Sequence, residues 1–351
     1  MKQATLGVII VTFNSETVID KCLQSLFAAE GSERLRIVIV DNESSDNTLG
    51  MIEVAAARSL PADQIQVVNR GASDAEPLRL TVIRSGTNGG YAFGVNQGLA
   101  FLAQDQSLSG YWVLNPDVVV PPATPRRLME RACAGPFGLL SSRCLFADNP
   151  EIIQTDGGEV NRRSGVCSSL NGGKAAGTTP LPNANQLDYV SGANFVVSPA
   201  FLAEVGFMTE DYFLYYEEVD WAFRRGSQPI ELVPGAEVLH IGGTSIGSGT
   251  LSKAASSFAN YFNHRNRVWF LQRHFPKSVA SGRLWGAAKA AQVLVKVGRK
   301  EAYAVLAGTM GWPPPKAVAA RLSEGARAHA FPPAPQRGER QIRPARSAEG
   351  T

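Results

Sequence analysis

The chain is short of several things, and each shortage narrows what it can be. Cysteine is scarce: Cys22, Cys133, Cys144 and Cys167 stand apart with no CxxC pair. That argues against a disulfide scaffold or a structural zinc site and suits a reducing cytoplasm. No uncharged apolar run reaches the roughly 18 residues that a spanning helix needs. The opening stretch MKQATLGVIIVTFN is short, β-branched and without a small-residue cleavage site, so it reads as a strand and not a signal peptide. Charge imbalance is slight, since a net +3 does not by itself imply nucleic acid binding. The segment TFNSETVI after the first strand lacks the glycine-rich basic loop of a sugar nucleotidyltransferase, and GxGxxG is absent from it. No internal repeat is present. What remains is an ordinary globular composition, 44% hydrophobic and 19% charged over 351 residues, enough for one large or two ordinary domains.

The order of elements is informative. LGVIIVT (6–12), RIVIV (36–40), LTVIR (80–84) and YWVL (111–114) read as strands, and helical patterns follow the first three. Ser15 is placed to cap the first helix. The polar stretch from Ser59 to Pro77 carries no pattern that assigns it. Alternating strands and helices predict an α/β fold with a doubly wound, mainly parallel sheet. Ligands of such sheets sit beyond the carboxyl ends of the strands. Thr12-Phe13-Asn14, Asp41-Asn42, Asn88-Gly89-Gly90 and Asn115-Pro116-Asp117 all fall at those ends. Further on, a helix is expected from Thr124 to Cys133, shorter strands around 139–146, 189–198 and 237–241, and helices at 216–226 and 256–274. From Trp312 onward proline, alanine and arginine dominate, which predicts a disordered tail.

VIIVTFN, VDNESSD, NGGYAFGVNQG, LNPD, VSGANFVV, YYEEVDWAFR and VLHIGG occur in that order between about residues 6 and 270. In this the chain resembles the family 2 glycosyltransferases of the GT-A nucleotide-diphospho-sugar transferase fold, and is similar to their rhamnosyltransferase-like branch. The resemblance implies a donor whose nucleoside diphosphate departs with growing negative charge, which a divalent cation, Mn²⁺ or Mg²⁺, stabilises as a Lewis acid. Asp117 would bind that cation through carboxylate oxygen. The family's usual Asp-x-Asp is here Asn115-Pro116-Asp117, so Asn115 is better suited to hydrogen bonding with ribose or phosphate. By the same resemblance His240 completes the metal site, and Asp41 faces the base beside Thr12 and Asn14. Asn88, Gly90 and Asn96 would belong to a loop and helix start whose backbone N–H groups face the diphosphate. Asp41 also fits a helix-capping turn, and the glycines also fit a turn without a ligand.

The family's general base corresponds to Glu218, where it usually has Asp. Glu217 and Asp220 complete the acidic cluster. Glu217 and Glu218 point about 100° apart on a helix, so they have different tasks. Asp220 precedes Arg224 by four, which equally suits a structural ion pair. No activated nucleophile is evident, so the expected chemistry is a direct displacement with inversion. Ser191-Gly192-Ala193-Asn194 is expected in the sugar and acceptor floor.

Phe258 to His274 mixes aromatics with His264, Arg265 and Arg267, and reads either as a helix packed on the domain or as a basic wall for an acceptor pyrophosphate. Gly282 to Lys300 could rest on an anionic membrane surface or be solvated. The expected organisation is a GT-A domain over 1–245, with a nucleotide half at 1–120 and a smaller acceptor half at 121–245. A helical region at 246–311 and the tail at 312–351 follow. The expected partners are a nucleotide-sugar donor and a glycan or lipid-linked saccharide acceptor, with no nucleic acid. The expected location is cytoplasmic, with a peripheral contact at the inner face of the plasma membrane left open. Resemblance suggests dTDP-L-rhamnose as donor and a cell-surface glycan precursor as acceptor. A UDP-sugar such as a galactofuranosyl donor, and a non-catalytic glycan-binding protein of the same fold, are the alternatives.

Overall fold

A computed structural model describes residues 4–72, 76–242 and 255–332. The first half runs β1 (Leu6–Thr12), α1 (Ile19–Phe27), β2 (Leu35–Asp41), α2 (Thr48–Ser59), β3 (Ile65–Asn69), β4 (Leu80–Arg84), α3 (Tyr91–Leu102), β5 (Gly110–Leu114) and β6 (Val118–Val119). The middle runs α4 (Thr124–Cys133), β7 (Leu139–Phe146), β8 (Asn149–Thr155), β9 (Gly158–Val160), β10 (Cys167–Ser169), β11 (Asn194–Val197), α5 (Pro199–Val205), α6 (Glu217–Phe223) and β12 (Ile230–His240). Five helices follow: α7 (Ser257–His274), α8 (Val279–Lys296), α9 (Arg299–Met310), α10 (Lys316–Ala319) and α11 (Glu324–Ala330).

The main sheet has the order β3-β4-β2-β1-β5-β11-β7-β12-β6, with β8 paired to β7. β3, β4, β2, β1 and β5 are mutually parallel, and β11 enters antiparallel between β5 and β7. Every residue of β1 is buried, which is why LGVIIVT is continuous in apolar residues and does not alternate. Ile10 and Ile37 lie in the core on one face of the sheet, while Ile9 and Val38 lie in the core on the other. The fold is thus the expected mainly parallel α/β sheet.

Two expectations change, and two open points are decided. Ser15 does not cap α1 with its side chain. The helix begins only at Ile19, and the Ser15 carbonyl accepts from the N–H groups of Val18 and Ile19. The unassigned segment contains β3, an edge strand whose Val67 is 56% exposed. α7 is buried nearly all round, His264, Arg265 and Arg267 included, because α8 and α9 pack beside it. Of the two readings of this segment, the packed helix is the one observed, and the basic wall is not formed. Residues 316–330 of the expected disordered tail fold as α10 and α11. Val318, Leu322, Ala326 and Ala330 join a cluster with Phe258 and Phe262 of α7, and Ser323 caps α11 by accepting from Ala326 N–H. The expected boundary at 245/246 and the tail beyond 332 lie outside the described residues.

Among the described residues no helix is long and apolar enough to cross a membrane. α8 instead shows an outward apolar line, Leu284, Ala288, Ala291 and Val295, all exposed. The spacing of four, three and four puts them on one helical face.

Candidate active site

One cavity of about 990 Å³ opens at the carboxyl ends of the parallel strands. Its metal corner is made by pairing at the far edge of the sheet. β5 ends at Leu114, Asn115-Pro116-Asp117 turns the chain, and β6 pairs antiparallel with β12 so that Val118 lies opposite His240. This sets His240 Nε2 3.2 Å from Asp117 Oδ1, across 123 positions of sequence. Gly242 N–H donates to Asp117 Oδ2 at 3.1 Å. Burial alone would raise the Asp117 carboxyl, but the hydrogen bond and charge of His240, with backbone donors, outweigh it and hold it below the usual range. Gln154 Oε1 stands 2.6 Å from His240 Nδ1. Gln154 accepting there holds the ring through Nδ1–H, and a cation at Nε2 would take the place of the proton that faces Asp117.

An ionised carboxylate oxygen and an oriented imidazole are a donor set that suits Mn²⁺ or Mg²⁺. No cluster of three His, Cys, Asp or Glu side chains fit to hold an ion occurs among the described residues. A cation here would rest on Asp117 and His240 and draw its other ligands from phosphate and water.

The acidic corner comes from a strained loop. Phe213, Tyr215 and Tyr216 have φ of 63°, 70° and 74° and lead directly into α6. Such left-handed geometry is costly for bulky residues and needs outside support. Asn266 Nδ2 supplies it by donating to the carbonyls of Tyr212, Leu214 and Tyr215, at 2.8, 2.7 and 3.0 Å. Arg265 donates to the Tyr212 carbonyl at 2.8 Å. Arg265 is thus a tie to this loop, while Arg267 donates to the carbonyls of Ser164 and Gly282.

Glu217 and Glu218 open α6 and both line the cavity. Burial pushes Glu218 up to about 7, although backbone N–H donors oppose it. Burial and the neighbouring Glu218 drive Glu217 well above the carboxylate range, and its Oε2 is buried without a hydrogen-bond partner. The pair thus splits into one acid that keeps its proton and one that titrates near neutrality.

Of the predicted residues, Asn88, Gly90, Asn115, Asp117, Glu217, Glu218 and His240 meet at this cavity, as do Ser191, Gly192 and Ala193. Others do not line it. Asp220 turns inward, accepting from Thr209, Tyr212 and Arg224 and meeting His274 Nε2 at 2.8 Å. Burial works to raise its carboxyl, but His274 and the Arg224 and Arg273 charges prevail and lower it to about 2. It is a structural hub, the alternative that its spacing to Arg224 offered. Asn96 is spent on Met208 and Glu210. Asp41 and Thr12 hydrogen-bond to each other behind the wall, and Asn14 accepts from Ser45. Asn194 likewise lies outside the lining and accepts from Trp112 Nε1.

The amide cradle needs correction too. Asn88 N–H donates to Glu43, Gly90 N–H to the Asn88 side chain and Tyr91 N–H to the Phe213 carbonyl. Those three amides are committed within the protein and do not face the cavity as free donors. The reason is packing. Gly90 has φ +91°, and a Cβ there would stand 2.3 Å from the Phe213 oxygen, so the start of α3 is pressed onto the strained loop.

Four residues of the site went unread. Asn42 reaches the cavity, donates to the Gly90 carbonyl and leaves Oδ1 buried without a partner. It stands beside Asp41 at the strand end, where the residue type alone favours the acid for the base-facing role. Tyr91 donates its hydroxyl to the Gly192 carbonyl, and burial together with Glu217, Glu218 and Asp117 holds that hydroxyl well above its usual range. In sequence Tyr91 is one apolar position of α3. Gln154 and Arg321 carry no local signal.

Residues 7–151 match the family described as Glycosyl transferase family 2. The chain is 25% identical over 199 residues to the low-salt glycan biosynthesis hexosyltransferase Agl10 of Haloferax volcanii, covering 56% of this chain and 62% of that protein. It therefore spans less than two thirds of that relative's length. It is 27% identical over 296 residues to the N-acetylglucosaminyl-diphospho-decaprenol L-rhamnosyltransferase of Mycobacterium tuberculosis, covering 77% of this chain and 85% of that protein. The solved structure of GalNAc-T7 with UDP, GalNAc and Mn²⁺ is similar in fold, with a TM-score of 0.56 and 15% identity, over 83% of this chain and 51% of that one.

Proposed function

The chain belongs to the family 2 glycosyltransferases, and from that premise we propose that it moves L-rhamnose from dTDP-L-rhamnose to a lipid-linked diphospho-saccharide, with inversion. The observation that carries this reading is that Glu218, a half-buried carboxylate, lines the same cavity as the Asp117–His240 pair; desolvation there pushes its carboxyl up to about 7.

The residues divide the work. A divalent cation on Asp117 and His240 would supply Lewis-acid stabilisation of the departing diphosphate. Glu218 takes the proton of the acceptor hydroxyl as that oxygen attacks the anomeric carbon. Glu217, kept neutral, can donate a hydrogen bond to a sugar hydroxyl from a place where a second charge would be costly. Tyr91 holds the Gly192 carbonyl, and Gly192 leaves room beside Glu218, since a Cβ there would come within 3.4 Å of its carboxyl carbon. The unpartnered Asn42 Oδ1 can accept the imide N–H of thymine or uracil, a task that cytosine would not satisfy. The rhamnosyl donor and lipid-linked acceptor rest on likeness to the mycobacterial rhamnosyltransferase.

Glu218→Gln is the direct test. Turnover is expected to fall by about 10²–10⁴-fold with binding of dTDP in Mn²⁺ unchanged, as fits loss of a general base. Near-normal turnover in that variant removes Glu218 from the chemistry.

The outward face of α8 supports a peripheral contact with an anionic bilayer. Leu284 and Val295 are 73% and 87% exposed, and Arg283 and Lys296 are exposed beside them. Apolar residues bordered by cations are what an interfacial helix presents.

A further inference from the structure

We infer that residues 316–332 form a strap across the nucleotide-side rim of the cavity and deliver Arg321 as the protein's own cation for a bound diphosphate. The inference deepens the reading above and rests on it. The strap is tied to the loops that a donor would meet. Ser323 Oγ donates to Glu43 Oε2 at 3.0 Å, and the same Glu43 oxygen accepts from Asn88 N–H at 3.3 Å. His329 packs on Phe93 of α3 with ring centroids 4.9 Å apart. Gly325 lies so near Thr87 that a Cβ would come within 2.7 Å of its hydroxyl oxygen. At the other end Arg265 donates to the Ala330 carbonyl.

Arg321 is placed by this strap. It lines the cavity with Leu322, and its guanidinium carbon lies 4.8 Å from the centroid of the Phe258 ring. Among the described residues lining the cavity it is the only lysine or arginine, whereas Asp117, Asp148, Glu217 and Glu218 all contribute carboxyls. A diphosphate brings negative charge into this acidic enclosure, and the start of α3 offers it no help from the amides of Asn88, Gly90 and Tyr91. The Asp117–His240 corner can supply one cation through a metal. Arg321 supplies a second, in a planar, bidentate form that matches phosphate oxygens. The tie of neighbouring Ser323 to Glu43, which also holds Asn88 N–H, favours the donor's diphosphate, although a lipid-linked acceptor carries the same group.

The test compares full-length wild type with R321Q, which keeps much of the stem over Phe258 and loses the charge, and R321K, which restores it. Each is titrated calorimetrically in Mn²⁺ with dTDP, UDP, dTMP and inorganic pyrophosphate, and thermal melting checks the fold. R321Q is expected to bind dTDP and UDP at least roughly 10-fold more weakly, to bind dTMP nearly as wild type does, and to recover in part as R321K. Should the nucleotides be unaffected while the KM for a polyprenyl-diphosphate acceptor rises, Arg321 serves the acceptor's diphosphate. Equal affinities for all ligands, with both KM values unchanged, overturn the inference. If wild type binds no nucleotide, the donor reading fails on its own account. The strap's role is then decided by inorganic pyrophosphate and the acceptor KM, and retention of both in R321Q sinks it.

Discussion

At the scale of single residues, the two neighbouring acids set the pH behaviour. Glu218 acts as a base only without its proton, and it titrates at about 7. Activity is therefore expected to climb through a midpoint near pH 7 and to fall below it, as kcat/KM measured from pH 5.5 to 9 will show. An acid whose pKa is raised by folding costs stability once the unfolded chain can ionise, so both glutamates weigh against the fold at neutral pH. Glu217→Gln removes that penalty at the deeper site. It is expected to raise the melting temperature at pH 8, by about 2–4 °C for each kcal/mol relieved. His264 adds an effect of the opposite sense. Burial and the charges of Arg267 and Lys289 lower it to about 3, so its contribution is lost as pH falls from 6.5 toward that value.

At the scale of elements, the loop before α6 and the start of α3 form a single joint. Asn266→Ala takes the side-chain donor from the Leu214 and Tyr215 carbonyls, while that of Tyr212 keeps Arg265, and is expected to cost about 1–3 kcal/mol in urea unfolding. Gly90→Ala forces a Cβ against the Phe213 oxygen at a φ of +91°, and is expected to destabilise the fold and to weaken dTDP binding together. The sequence showed what is repetitive and local. Buried β-branched runs gave β1, β2, β4 and β5, and strand ends gave Asn88, Asn115 and Asp117 because parallel sheets gather their loops at one edge. It did not show β3, whose edge position leaves a polar, exposed pattern. It could not separate Asp41 from Asn42, because a shift of one residue decides which side chain faces the cavity. Asp220 and Asn96 look like site residues until their partners, far away in sequence, are seen. Composition hid α10 and α11, because the apolar residues that hold them are few and find their partners on α7.

At the scale of the whole molecule, the proposed lipid-linked acceptor gives the exposed apolar line of α8 a task, that of resting on the bilayer which holds the acceptor. Replacing both Leu284 and Val295 by Glu is expected to reduce co-sedimentation with vesicles rich in anionic lipid, while leaving melting temperature and dTDP affinity as they were. Equal sedimentation of variant and wild type removes the membrane from the picture.

The strap has a bearing on biogenesis. Ribosomes make a protein from its amino end, so the sheet, the acid loop and α7 are all outside the tunnel before Arg321 emerges. Until then the rim along Thr87 and Phe93 is bare, and a nascent chain that has already assembled its β-structure still lacks a hand for its ligand. Competence waits on a segment made after every strand of the sheet, and a chain cut short near residue 315 would keep that unfinished condition with its strands all in place.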